Sequence, residues 1–147
     1  MSWNITKAVV VPYDFSKHAD EALKKAVGIV EDRQQIHALH VLPFMIPTEP
    51  GVVWATIDDQ QRMEHALANM QEKLAEIGLG DIQTDVRFGD PGQVVSDRAE
   101  ELGAELIVIG SHGRTGLTRF VLGSVAERVT RLAHCPVLVI KCPELHK

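Results

Sequence analysis

Cysteine, aromatic side chains and cationic excess are all scarce in this chain of 147 residues. Its two cysteines, Cys135 and Cys142, are too few for a disulfide framework and are not spaced as a zinc knuckle. Both read as buried or incidental thiols. Aromatics make up 5% of the residues, less than a surface that stacks RNA bases would carry. Lys and Arg number 15 against 20 Asp and Glu, for a net charge of -5. That balance argues against a general binder of nucleic acid or anionic membranes. No apolar run approaches the roughly 18 residues of a membrane span. Met1 to Lys7 also lacks the apolar core of a signal peptide. A cytoplasmic protein is expected, with no membrane insertion and no nucleic-acid partner. What the chain does have, 45% hydrophobic and 24% charged residues, is soluble globular composition. Its length suits one domain over residues 1–147.

Hydrophobic periodicity switches repeatedly between strand and helix. Val9-Val10-Val11, ending at Pro12, reads as a buried strand. Ser16 follows as a helix N-cap, and Ala19, Ala22, Leu23, Ala26, Val27 and Val30 then share one helical face. Ile36 to Leu42 is a second strand. Pro43 to Thr56 holds three prolines and Gly51 and reads as a loop. That loop also carries Phe44, Met45, Ile46, Val52, Val53 and Trp54, so it must cover something: a ligand, a subunit contact or the sheet edge. A second helix runs through Met63, Met70, Leu74 and Ile77 to Gly78, and Ile82 to Phe88 forms a third strand. Asp90-Pro91 opens a third helix, with Gln93 placed to complete a capping box and Gly103 to close it. Leu106 to Ile109 is the fourth strand. After a glycine-rich stretch comes a helix with Val121, Val125, Val129 and Leu132 inward, then Pro136, then a fifth strand, Val137 to Ile140. Apolar strands alternating with helices predict an α/β fold: a doubly wound, five-stranded parallel sheet of order 3-2-1-4-5.

In such a sheet, ligands bind beyond the carboxyl ends of the strands where the order reverses, here between strands one and four. Strand one ends in Pro12-Tyr13-Asp14-Phe15-Ser16. Strand four ends in Gly110-Ser111-His112-Gly113-Arg114-Thr115-Gly116, with Gly123-Ser124 at the next helix entrance. Glycine admits close backbone approach, and N–H groups at such turns and helix starts suit phosphate. Residues 107–126 contain Arg114, Arg119 and His112 but no acid, so the loop is locally cationic. The dinucleotide fingerprint and the P-loop motif are both absent.

The pattern Gly110-x2-Gly113-x9-Gly123-Ser124 resembles the nucleotide-binding signature of the ATP-binding universal stress proteins. Pro12-x-Asp14-x-Ser16 and His40-Val41 resemble that family's first and second strand ends. The resemblance implies an adenine-nucleotide-binding homodimer linked to stress responses, with ATP, ADP or AMP as ligand and magnesium arriving on the phosphates. It places Asp14 and Val41, beside Pro12, at the adenine and ribose end. Gly110, Gly113, Gly123 and Ser124, continued by Val125, fall at the phosphates. Tyr13 departs from the small residue common there.

Arg114 reads, on charge grounds, as a partner of the terminal phosphate or as a solvated arginine. Asp14 is open to three readings: a magnesium ligand, a base contact or a helix cap. Ser111-His112 do not read as a catalytic pair, because adjacent residues rarely aim side chains at each other. His37 and His40 point to opposite faces of a strand and do not chelate. No residue set positions water against a γ-phosphate, so at most slow hydrolysis is expected. The function expected is that of an ATP-binding regulator or sensor with an unidentified protein partner. The alternative is a nucleotide-free interaction module working through its dimer surface. The apolar strand 137–141 is expected to pair across a homodimer, unless the tail from Cys142 to Lys147 covers it.

Overall fold

The computed structural model describes residues 5–44, 58–112 and 122–142. Strands β1 (Val9–Pro12), β2 (Ile36–Leu42), β3 (Gln83–Phe88), β4 (Leu106–Gly110) and β5 (Val137–Ile140) alternate with helices α1 (Lys17–Val27), α2 (Asp58–Glu76), α3 (Pro91–Leu102) and α4 (Ser124–Leu132). The sheet order is β3-β2-β1-β4-β5 with parallel pairing throughout, as the strand and helix alternation predicts. Gly113, Arg114, Val121 and the Trp54 loop lie outside the described residues.

Period-two alternation divides the core in two. Val9, Val11, Ala38, Leu106 and Val108 pack against Ala22, Leu23 and Ala26 of α1 and Met70 and Leu74 of α2. Val10, Leu39, Ile107 and Ile109 turn the other way, against Val95 and Ala99 of α3 and Ala126 and Val129 of α4. Both faces of the central strands are therefore buried, and this is why β1 and β4 are apolar without a break. The third strand starts one residue later than the pattern suggests. The Ile82 N–H is used in a turn to Leu79 O at 3.2 Å, and Ile82 is buried beside α2.

Helix starts follow the capping chemistry. Ser16 Oγ accepts the Ala19 N–H at 3.1 Å, and Asp90 accepts the Gln93 N–H at 3.0 Å. Gly103 ends α3 in the left-handed region at φ 62°. Only half of the predicted capping box forms at α3. Gln93 Nε2 donates to the Asp97 carboxylate at 2.8 Å, a charged partner one turn along, rather than closing back on Asp90. Arg128 of α4 reaches Asp90 at 2.8 Å and ties the two helices together. Gly92 makes room for this contact, since a Cβ there would lie 2.6 Å from Arg128 Cγ.

The Gln93 N–H, and secondarily Arg128, hold the Asp90 carboxyl below its ordinary range. Asp90→Ala is expected to cost about 1 kcal/mol at neutral pH through loss of the cap. Because the folded-state value is depressed, this contribution is present above the ordinary aspartate range. It is lost as pH falls through about 4 and below. Urea unfolding at pH 7 and pH 3 should show the gap between wild type and variant narrowing at the lower pH.

Candidate functional site

The strand order reverses between β1 and β4, and a cavity of about 260 Å³ opens beyond their carboxyl ends. Pro12, Tyr13, Asp14 and Ser16 form one wall, and Leu39, His40 and Val41 of β2 adjoin it. Residues 109–112 at the end of β4 and residues 123–126 at the start of α4 form the opposite wall. Pro91 and Val95 of α3 complete the lining. Of the residues singled out in the sequence, Pro12, Asp14, Val41, Gly110, Gly123, Ser124 and Val125 all line this one cavity.

Its two ends differ in charge. Asp14 Oδ1 accepts the Ser16 N–H at 3.0 Å and the Ser16 hydroxyl as well. Ser16 Oγ in turn caps α1, so that helix start is satisfied by its own side chains and carries a carboxylate. Asp14 is thus not the cap itself but orients the residue that is. The start of α4 is different: its N-cap is Gly123, and no side chain among the described residues caps it. The first N–H groups of a helix have no partner within the helix, and its dipole adds partial positive charge there. The cavity therefore offers an acceptor, Asp14, at one end and uncompensated donors at the other.

Gly110 and Gly123 have a structural reason that the sequence reading missed. A Cβ on Gly110 would lie 2.9 Å from His18 Cβ and 3.1 Å from His18 O, so this glycine admits α1 against the end of β4. A Cβ on Gly123 would lie 3.0 Å from Ser111 O, to which the Gly123 N–H donates at 2.7 Å. Both glycines serve close approach of chain to chain, which shapes the cavity from outside.

Tyr13 is buried, and its hydroxyl donates to Asp20 at 2.6 Å. Burial first, and then this bond, push the phenol far above its ordinary range, so it stays protonated. Ser111 and His112 do meet, contrary to the expectation from adjacency: Oγ and Nδ1 are 3.2 Å apart and both residues are buried. The strand ends at Gly110, so the alternation that separates adjacent side chains no longer applies. His40 and His37 diverge as expected. His40 faces the cavity, whereas His37 is near Arg98 and Asp85, its basicity lowered by burial first and then by Arg98. His134 pairs with Glu100 at 3.7 Å, and burial raises the Cys135 thiol. Among the described residues, no three potential metal ligands converge. Lining residues that the sequence does not assign to the ligand include Leu39, Ile109, His40, Pro91 and Val95. The only signal for the last two was the i, i+4 spacing that puts them on one face of α3.

Parallel order with a cavity at the reversal point defines a doubly wound α/β domain whose ligand site lies at the strand ends. The profile described as the universal stress protein family matches residues 6–141, and the chain belongs to that family. It is 38% identical over 148 residues to universal stress protein MJ0531 of Methanocaldococcus jannaschii, covering 96% of this chain and 85% of that one. Among solved structures, hypothetical protein MJ0577 superposes with a TM-score of 0.71 at 28% identity, covering 94% of this chain and 97% of the other. A universal stress protein family member from Arabidopsis thaliana, solved with AMP bound, shares the fold at a TM-score of 0.55 and 19% identity, with 92% of each chain covered.

Gly110→Ala is expected to destabilise the fold by about 1–3 kcal/mol, the cost of overpacking, because α1 must move off β4. Chemical denaturation would register this even in ligand-free protein. An unchanged midpoint would show that the close contact carries no weight.

Proposed function

We propose that the protein is an adenine-nucleotide-binding regulator or sensor whose ligand is ATP. The observation that carries this reading is the uncapped start of α4 facing a cavity whose far wall holds the Asp14 carboxylate. A nucleotide has the complementary polarity. Its phosphates suit the donors of Ser124 and Val125 at the helix start that Gly123 opens, while its base and ribose donors suit Asp14, with Pro12 and Val41 beside them. Asp14 makes the α1 end repulsive to phosphate, which sets the direction of the ligand. Gly110 shapes the phosphate end; Gly113, which the resemblance assigns to the phosphates, and Arg114, a candidate on charge grounds, lie outside the described residues. Magnesium travels with the phosphates and keeps its waters. The AMP-bound relative of the same fold supports an adenine nucleotide as the ligand class.

Mass spectrometry of freshly purified, denatured protein should reveal AMP, ADP or ATP. Ser124→Ala removes a hydrogen bond to a charged group, worth about 1.5–3 kcal/mol, so a fluorescent ATP analogue should bind roughly ten- to hundred-fold more weakly. No retained nucleotide and no saturable binding by wild type would leave the interaction-module reading instead.

We further propose that the chain acts as a homodimer paired through β5. Pro136 O accepts from the Ile107 N–H and Ile140 O from the Ser111 N–H, so the backbone of alternate residues faces β4. The intervening Val137 and Val139 turn their N–H and C=O groups outward. All four residues of β5 are apolar and only half-buried. The other edge is armoured. On β3, Asp85 pairs with Arg87 at 3.2 Å and Arg98 at 3.1 Å, and Glu101 pairs with Arg98 at 3.1 Å. Antiparallel self-pairing about a two-fold axis would satisfy the free groups of β5. Val139→Pro removes an outward donor and leaves the β4 ladder intact. Size exclusion with light scattering should show a wild-type dimer and a folded monomeric variant; a wild-type monomer at micromolar concentration contradicts the proposal.

A further inference from the structure

We infer that His40 is a positioning residue that holds the β1–β2 ladder open, so that the Val41 backbone is available to the ligand. This rests on the nucleotide reading of the cavity. The Tyr13 N–H donates to Leu39 O at 2.7 Å, one step past the last paired residues, Pro12 and Leu39. In a parallel ladder the next bond would run from the Val41 N–H to Tyr13 O. No such backbone bond forms. The Tyr13 carbonyl is instead 2.8 Å from His40 Nδ1. A carbonyl only accepts, so Nδ1 carries the hydrogen and donates it.

The orientation of Val41 follows from its neighbours. Leu39 O faces β1, where it accepts from Tyr13, and Leu42 O faces β3, where it accepts from Gly89. By alternation the Val41 N–H and C=O face the β1 side, just where β1 has left the sheet. Val41 lines the cavity there. A donor and an acceptor side by side suit a heterocycle edge with an acceptor and an amino group, as adenine has.

The departure of β1 is itself held by His40. Phe15 adopts φ 67°, the left-handed region, and is the only residue other than glycine to do so among the described residues. Its ring packs edge-on against Tyr13 at 5.2 Å and against His40 at 5.0 Å. The same turn presents Asp14 to the cavity. One side chain therefore takes the carbonyl that would close the ladder and buttresses the turn that opens it.

The test has two independent readings. In ligand-free wild type, the Val41 amide should exchange with solvent as an unpaired N–H. In His40→Leu, the freed Tyr13 carbonyl should capture that amide and protect it, and ATP should bind about tenfold more weakly, the loss of roughly one hydrogen bond. His40→Asn carries an amide donor at the same distance from the backbone and should restore both readings to near wild type. The inference is overturned by a protected Val41 amide in ligand-free wild type. Wild-type ATP affinity in His40→Leu, or His40→Asn as weak as His40→Leu, overturns it too. If His40→Leu does not fold, the wild-type amide and His40→Asn still decide. If wild type binds no ATP, the nucleotide reading fails, yet exchange at Val41 still shows whether His40 keeps the ladder open.

Discussion

The approach of α1 to the carboxyl end of β4 is the constraint on which the site depends. It is possible only because Gly110 has no side chain, since any Cβ would collide with His18. Seating α1 there determines where Ser16 and Asp14 stand, because they are bonded to one another and to the first turn of that helix. One residue further along, Ser111 O receives Gly123 and seats α4. Two helix starts are thus drawn to the end of one strand, and the cavity is the space left between them. Packing at this point and the geometry of the site are one problem, not two.

The helix starts are alike in geometry and opposite in chemistry. That of α1 is satisfied internally by Ser16, with a carboxylate beside it, whereas that of α4 begins with a glycine that has nothing to offer its own N–H groups. An uncapped helix costs about a kilocalorie per mole of stability that a Ser or Asp at the same place would return. An anion can make up that deficit. The cost is borne at the cavity, while α3, whose start is capped by Asp90 and braced by Arg128, carries no such deficit.

Most of the architecture was legible in the sequence, because the signals were strong and local. The unbroken apolar runs at Val9 to Val11 and Leu106 to Ile109 required burial on both faces, and Ser16, Asp90, Pro91 and Gly103 marked helix ends. Strand order then followed from general handedness rules. The failures were of another kind. Gln93 was expected to close a capping box but found a better partner in Asp97, a choice that only side-chain geometry decides. Ser111 and His112 do not read as a catalytic pair because adjacent residues rarely aim side chains at each other, yet the strand stops at Gly110 and these two side chains meet. His40 reads as part of a strand end that resembles the family's and as a poor metal ligand, and nothing in the sequence shows that its ring reaches the carbonyl of a residue 27 positions away. Gly110 and Gly123, which the resemblance assigns to the phosphates, also admit His18 and Ser111 at close range, a packing role that no local pattern marks.

The unequal edges of the sheet bear on how large an assembly can become. A sheet with two open apolar borders is a monomer for polymerisation: each addition exposes a fresh border, and growth has no natural end. Here the β3 border carries interlocked charges, Asp85, Arg87, Arg98 and Glu101, that a further strand would have to dehydrate. Among the described residues the apolar border is that of β5, and the proposed two-fold pairing would consume it in both partners at once. In the proposed dimer the chain would be terminated at one side, so self-association through the sheet would stop at two copies, and the apolar strand that could otherwise seed fibres would become a closed joint.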